Sequence, residues 1–162
     1  MRTLMAVAGC VAGGLVGCAA VVVSPGCVSY QTTVTPVKTV PGLDVVVTDA
    51  GGQFWQVAVT NQTGEIVNLV WDESLYVATN GESDRIIRGK TRRIHAGQAQ
   101  PVSPIAPGAS LREVFVRESS VDHAGLGGGA PADPSRNARV LLVFETGGKK
   151  AVHESSILFT KR

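Results

Sequence analysis

Beyond residue 27 the chain contains no cysteine, because Cys10, Cys18 and Cys27 account for all three. No disulfide framework can therefore brace the rest of the sequence, which must be held by its own apolar core. Aromatic residues are scarce, at 5% of the 162 residues, and charged residues make up only 17%. Fifteen Lys and Arg against 13 Asp and Glu leave a formal net charge of +2. That balance lacks the basic excess of a nucleic-acid binder, so no nucleic-acid partner is expected. No helical stripe of useful length is present, and neither Gly-x-Ser-x-Gly nor His-Glu-x-x-His occurs.

What is there begins with a leader. Arg2 is the one early charge, and Thr3 to Val16 is an uncharged stretch rich in Leu, Met, Ala, Val and Gly. Its length suits a signal-peptide core better than a spanning helix. Leu15-Val16-Gly17-Cys18 closes it and resembles the lipobox of bacterial lipoproteins. The resemblance implies a diacylglyceryl thioether on Cys18, cleavage before it and acylation of the new amine, which together give a stable membrane anchor. Two other cysteines compete. Val7-Ala8-Gly9-Cys10 has the lipobox shape behind a very short apolar run, and Ser24-Pro25-Gly26-Cys27 follows a further apolar run with Pro25 inside the motif. An uncleaved helix from Thr3 to Val23 is the remaining alternative. By the same resemblance, Ala19 after Cys18 favours the outer membrane, with the protein facing the periplasm.

The expected organisation is a signal peptide over 1–17, a lipidated tether over 18–42 and one domain over 43–162. Tyr30 to Gly42 carries Pro36, Pro41 and several threonines, which favour extended or polyproline conformations. Ala19 to Gly42 would reach about 80 Å at ~3.3 Å per residue. Its Thr and Val residues are also strand formers, so part of it can pair as a first strand.

From Leu43 onward short β-patterned runs alternate with turn residues. Leu43 to Thr48 ends at Asp49-Ala50-Gly51-Gly52. Phe54 to Thr60 puts Trp55, Val57 and Val59 on one face and Gln56 and Ala58 on the other. Asn61-Gln62-Thr63-Gly64 reads as a hairpin turn into Ile66 to Trp71. Leu75 to Ala78 reads as a separate run, and Arg85 to Ile94 as a charged hairpin around Gly89. Leu111 to Arg117, Val140 to Thr146 and Ala151 to Phe159 complete the pattern, with Gly147-Gly148 as a turn. Seven or eight short strands predict a single antiparallel β-sandwich, in which Trp55, Trp71, Phe144 and Phe159 belong to the core.

The segment Val59 to Ser74, with its Asn61-Gln62-Thr63 turn and Trp71-Asp72 at a strand end, resembles one in uncharacterised bacterial envelope lipoproteins. Ser103-Pro104-Ile105-Ala106-Pro107-Gly108-Ala109 is similar to a turn preceding a later strand in such domains. The resemblance implies an immunoglobulin-like sandwich without an assigned activity.

Candidate chemistry is sparse. His95, His123 and His153 are far apart and match no zinc spacing. Ser119-Ser120 and Asp122-His123 supply the residue types of a hydrolase triad without its sequence context. Gly125-Leu126-Gly127-Gly128-Gly129 lacks the Lys-Ser/Thr of a phosphate loop and reads as part of a loop over Asp122 to Asn137. Arg85, Arg88, Lys90, Arg92, Arg93 and His95 form one basic segment that would attract anionic envelope polymer or lipid. Strand alternation would split them between two faces, and Asp72, Glu73 and Asp84 lie near enough in sequence to neutralise part of the charge. The sequence thus predicts a lipid-anchored, non-catalytic binding or scaffolding module of the bacterial envelope, needing no cofactor or metal. Its expected partners are the membrane, through the N-terminal lipid, and an envelope protein met at a sheet edge or loop face. The alternatives are the anionic-polymer binder and a hydrolase assembled from distant residues.

Overall fold

The computed structural model describes residues 30–51, 53–89, 97–121 and 137–161. Nine strands and one short helical turn follow in chain order: β1 (Tyr30–Lys38), β2 (Leu43–Gly51), β3 (Phe54–Asn61), β4 (Val67–Val77), β5 (Ser83–Arg88), β6 (Ser103–Ile105), β7 (Ser110–Arg117), α1 (Glu118–Val121), β8 (Ala138–Thr146) and β9 (Lys149–Lys161). The all-β, antiparallel reading holds. Among the described residues no helix is long and apolar enough to cross a membrane.

Strand formation follows the period-2 pattern of the sequence. Trp55, Val57 and Val59 of β3 are buried while Phe54 is exposed, and Ala138, Val140, Leu142 and Phe144 form the buried row of β8. Every pairing is antiparallel, and the strands run in the order β1-β9-β8-β4-β5-β7-β3-β2, with β6 added to β4. β5 makes the corner. Its Ser83–Arg85 half pairs with β4, and its Ile86–Arg88 half pairs with β7. The sheet curls into a nearly closed, barrel-like layer around Trp71, Phe115, Phe144, Leu69, Ile86 and Ile157. Burying each large apolar side chain contributes on the order of 1.5–3 kcal/mol.

The two ends of the strand path are consecutive in the chain. β1 and β2 are joined through a turn closed by Leu43 N–H to the Val40 carbonyl (3.1 Å), and the Thr32 hydroxyl bonds Asp49 across the seam (3.0 Å). Gly42 sits in that turn at φ +76°, where a Cβ would lie 2.6 Å from Thr63 Cγ2. Its carbonyl accepts the Gln62 N–H at 2.7 Å, so the turn is clamped to the β3–β4 connection.

Three sequence expectations are corrected in detail. Residues 30–38, inside the segment assigned to the tether, pair with β9 as the first strand, the option its Thr and Val content left open. The runs Ile66 to Trp71 and Leu75 to Ala78 belong to one strand, β4. Its register slips between Val70, opposite Val143, and Leu75, opposite Leu141, so that Trp71 to Ser74 bulge out against Leu142 alone. Asn61 to Gly64 does not turn a hairpin. β3 pairs with β2 and β7, whereas β4 pairs with β5, β6 and β8, so the connection crosses between sheets.

The crossing is fixed by Asn61, which is fully buried. Its Nδ2 donates to the Glu65 carbonyl (2.8 Å) and the Ile105 carbonyl (2.9 Å), and its Oδ1 accepts from the Thr63 N–H (2.9 Å) and hydroxyl (2.7 Å). Its own backbone pairs with Gly108 and Ala109. One side chain thus ties together the β3–β4 and β6–β7 connections and shuts this end of the barrel.

Candidate functional site

β5 carries Arg85 and Arg88 on opposite faces, as alternation requires. Arg85 lies on the outer side. Its guanidinium grips both Glu118 oxygens at 3.1 Å, while Nη1 reaches Asp72 (3.1 Å) and the Gln98 carbonyl (3.2 Å). The Glu118 hydrogen bond, opposed by partial desolvation and aided by the charges of Glu118 and Asp72, raises the Arg85 pKa above its ordinary range. Arg88 faces the core side, 5.9 Å from the Trp71 ring, with Nη2 2.6 Å from Glu113. The Glu113 side chain is only 14% exposed. Trp71 in turn donates its indole N–H to the Ser103 hydroxyl at 2.9 Å.

Gln100 completes this corner. Where β4 leaves β5, its carboxamide accepts from the Arg88 N–H (2.9 Å) and donates to the Ile86 carbonyl (2.7 Å). The side chain replaces the neighbouring strand, and its backbone N–H bonds both Asp72 oxygens at 3.0 Å. Of the basic segment read from sequence, Arg85 and Arg88 are therefore engaged by carboxylates from β4, β7 and α1. Lys90, Arg92, Arg93 and His95 lie outside the described residues. Of the nearby acids, Asp72 holds Arg85, Glu73 pairs with Lys150, and Asp84 accepts from Ser119. Arg85 pairs with β4 and Arg88 with β7, and the part of the charged hairpin expected beyond Gly89 lies outside the described residues.

A second cluster gathers at the end of the barrel opposite Asn61, where β2 finishes, β3 begins, β4 finishes and β7 finishes. Trp55 and Tyr76 lie 6.2 Å apart with a 37° tilt, both buried, and the Arg117 guanidinium stands 5.2 Å from the Tyr76 ring centre. Burial pushes the Tyr76 phenol above its ordinary pKa; Arg117 opposes the shift and Asp49 reinforces it. Asp49 accepts the Thr32 hydroxyl and the Gly51 N–H (2.7 Å), and Asp84 stands opposite Tyr76 in register. Sequence reasoning identified Trp55 as core but passed over Tyr76, Arg117 and Asp49. Their convergence comes from strand ends far apart in the chain, so no local spacing could signal it.

A third feature lies on the outer face of β2, β3 and β7. Register places Val46, Ala58 and Arg112 in one row and Thr48, Gln56 and Val114 in the next, with Phe54 adjoining. Val46 (48%), Phe54 (39%) and Val114 (36%) are exposed there, and Arg112 has no carboxylate partner among the described residues.

The remaining sequence candidates separate. His153 is buried, with Nε2 3.0 Å from the Ser155 hydroxyl and Nδ1 unpartnered, and burial lowers its pKa. Ser119 bonds Asp84 through its hydroxyl and, at 3.1 Å, its N–H. Cys10, Cys18, Cys27, Asp122, His123 and Gly125 to Gly129 lie outside the described residues, as does the uncleaved-helix alternative over Thr3 to Val23. Trp71 and Phe144 are buried and Phe159 is half-buried against the core, as their apolar contexts predicted.

No protein-family model matches the chain, and no curated protein matches it. Among solved structures it is similar to Northeast Structural Genomics Consortium target SoR45, an X-ray structure, at 10% sequence identity and a TM-score of 0.38 over 82% of this chain and 86% of that one.

Proposed function

We propose that this chain is a lipid-anchored lipoprotein of the bacterial envelope, tethered through Cys18 with Cys27 as the alternative, and that its β domain binds or scaffolds another envelope protein without catalysing a reaction. In this reading the layer β2-β3-β7 faces the layer β1-β9-β8-β4 as an immunoglobulin-like sandwich with β5 as its corner. The observation that carries the binding role is the outer face of β2, β3 and β7. Val46, Phe54 and Val114 lie exposed on neighbouring strands beside Thr48, Gln56 and Arg112, which has no carboxylate partner among the described residues. Apolar area rimmed by polar groups is the composition of a docking surface. The cation at its margin selects a partner whose apolar contact surface carries a carboxylate.

Photo-crosslinking in the native membrane tests this reading. A crosslinker at Val46 is expected to capture one discrete envelope protein, and Arg112→Glu is expected to abolish the product. Equal yield from a crosslinker at Leu158, exposed on β9, or indifference to Arg112→Glu would overturn it. The anchor is checked by mass analysis of the N-terminal peptide, in which a triacylated Cys18 is expected.

A further inference from the structure

We propose that Arg117, placed over Tyr76 at the end of the barrel opposite Asn61, is a receiving site for a ligand carboxylate. The argument starts from where the other charges go. Arg85, Arg88 and Arg139 each hold a carboxylate between 2.6 and 3.2 Å. Arg117 holds none among the described residues, although Glu118 follows it in the chain and Asp84 and Asp49 lie at the same end of the barrel. Each of those acids is taken up elsewhere. Glu118 grips Arg85, Asp84 accepts the N–H and hydroxyl of Ser119, and Asp49 accepts the Gly51 N–H and the Thr32 hydroxyl.

The guanidinium is nevertheless held in place. Its centre lies 5.2 Å over a ring that is itself buried and packed against Trp55. None of its side-chain N–H groups donates a hydrogen bond to a described residue, so these donors stay available to a planar carboxylate. Asp49 and Asp84 restrict the ligand's charge. A monoanion gains the bidentate contact against modest repulsion, whereas a phosphate dianion meets both carboxylates at close quarters. The ligand group is therefore a carboxylate, from either a peptide C-terminus or an acidic side chain. This site is separate from the β2-β3-β7 face and does not depend on it.

The test is titration of the folded domain, followed by the Arg117 Nε–H and Trp55 indole N–H resonances. Four probes are used: a short peptide with a free C-terminus, its C-terminal amide, an amide bearing an internal glutamate, and inorganic phosphate. Saturable shifts at both resonances are expected with at least one carboxylate probe, and the identity of that probe names the source. The plain amide is expected to be silent. Arg117→Gln should remove the response with the fold intact by circular dichroism, Arg117→Lys should weaken it severalfold, and Asp49→Asn should tighten it. Silence from both carboxylate probes, or inorganic phosphate binding as tightly, would overturn the assignment.

Discussion

The hydroxyl of Ser74 stands inside the β4–β8 ladder, accepting from the Val143 amide at 3.0 Å while donating to the Val70 carbonyl at 2.8 Å. Ser74 is fully buried, and the slip from Val70 to Leu75 would otherwise leave both backbone groups without a ladder partner. One oxygen thus makes a large bulge tolerable in the middle of the sheet. Ser74→Ala removes the bridge and strands a buried donor and a buried acceptor. A loss of about 2–3 kcal/mol is expected in urea unfolding, with the m-value unchanged. A loss smaller than a surface substitution would show that the bulge repacks around other partners.

Asn61 is the second polar group on which the fold depends. Ala at this position leaves the Ile105 carbonyl without the Asn61 donor and the Thr63 N–H without its acceptor, while the Glu65 carbonyl keeps the Thr63 hydroxyl, at a cost of about 2–3 kcal/mol. Asn61→Asp keeps the acceptor for Thr63 but turns a carboxylate toward two carbonyl oxygens, so it should be at least as damaging as Ala at neutral pH. Thermal unfolding of the two variants checks the order. Recovery of the Asp variant in acid, where the carboxyl can donate, would support the same geometry.

These two residues show what was and was not legible in the sequence. The alternation of Trp55, Val57 and Val59 is a local pattern, and the structure buries those three residues as the pattern requires. The polar run Asp72-Glu73-Ser74 looked like the end of a strand because the hydroxyl that repairs the ladder acts on Val143, 69 residues away. Asn61 signalled a turn, yet its bond to Ile105 spans 44 residues and makes that turn a crossing between sheets. The basic character of Arg85 and Arg88 was plain. Their partners Glu118 and Glu113 lie 33 and 25 residues downstream, beyond the reach of spacing arguments. Tyr76 and Arg117 meet for the same reason, because topology brings together strand ends that the sequence keeps apart.

The two arginine pairs on β5 should respond differently to neutralisation. Glu118 is 37% exposed and Arg85 keeps Asp72 and the Gln98 carbonyl when it is lost, so Glu118→Gln should cost at most ~1 kcal/mol, and less in high salt. Among the described residues Glu113 is the single carboxylate on Arg88, whose Nε is buried there without a partner. Glu113→Gln leaves a half-buried cation beside Trp71 and should cost about 2–3 kcal/mol, with little salt dependence. Denaturant titrations at low and high ionic strength separate the two. Equal losses would mean that burial at β7 does not set the strength of the pair.

His153 supplies a pH dependence whose sign is fixed by its surroundings. Burial holds its folded-state pKa below the value of about 6.5 that it recovers on unfolding. Above pH ~6.5 both states carry a neutral ring and the residue contributes no slope. As pH falls below that value, the unfolded chain takes up the proton before the folded one does. Stability then declines by at most ~1.4 kcal/mol per pH unit, until the folded-state pKa is passed. The Ser155 hydroxyl can adapt to the neutral ring at Nε2, but Nδ1 has no acceptor for a second proton among the described residues. His153→Leu keeps an apolar body in this position and removes the titrating group. Urea midpoints measured between about pH 7 and pH 5 should fall in the parent protein and flatten in the variant. Parallel curves would show that the acid sensitivity does not come from His153.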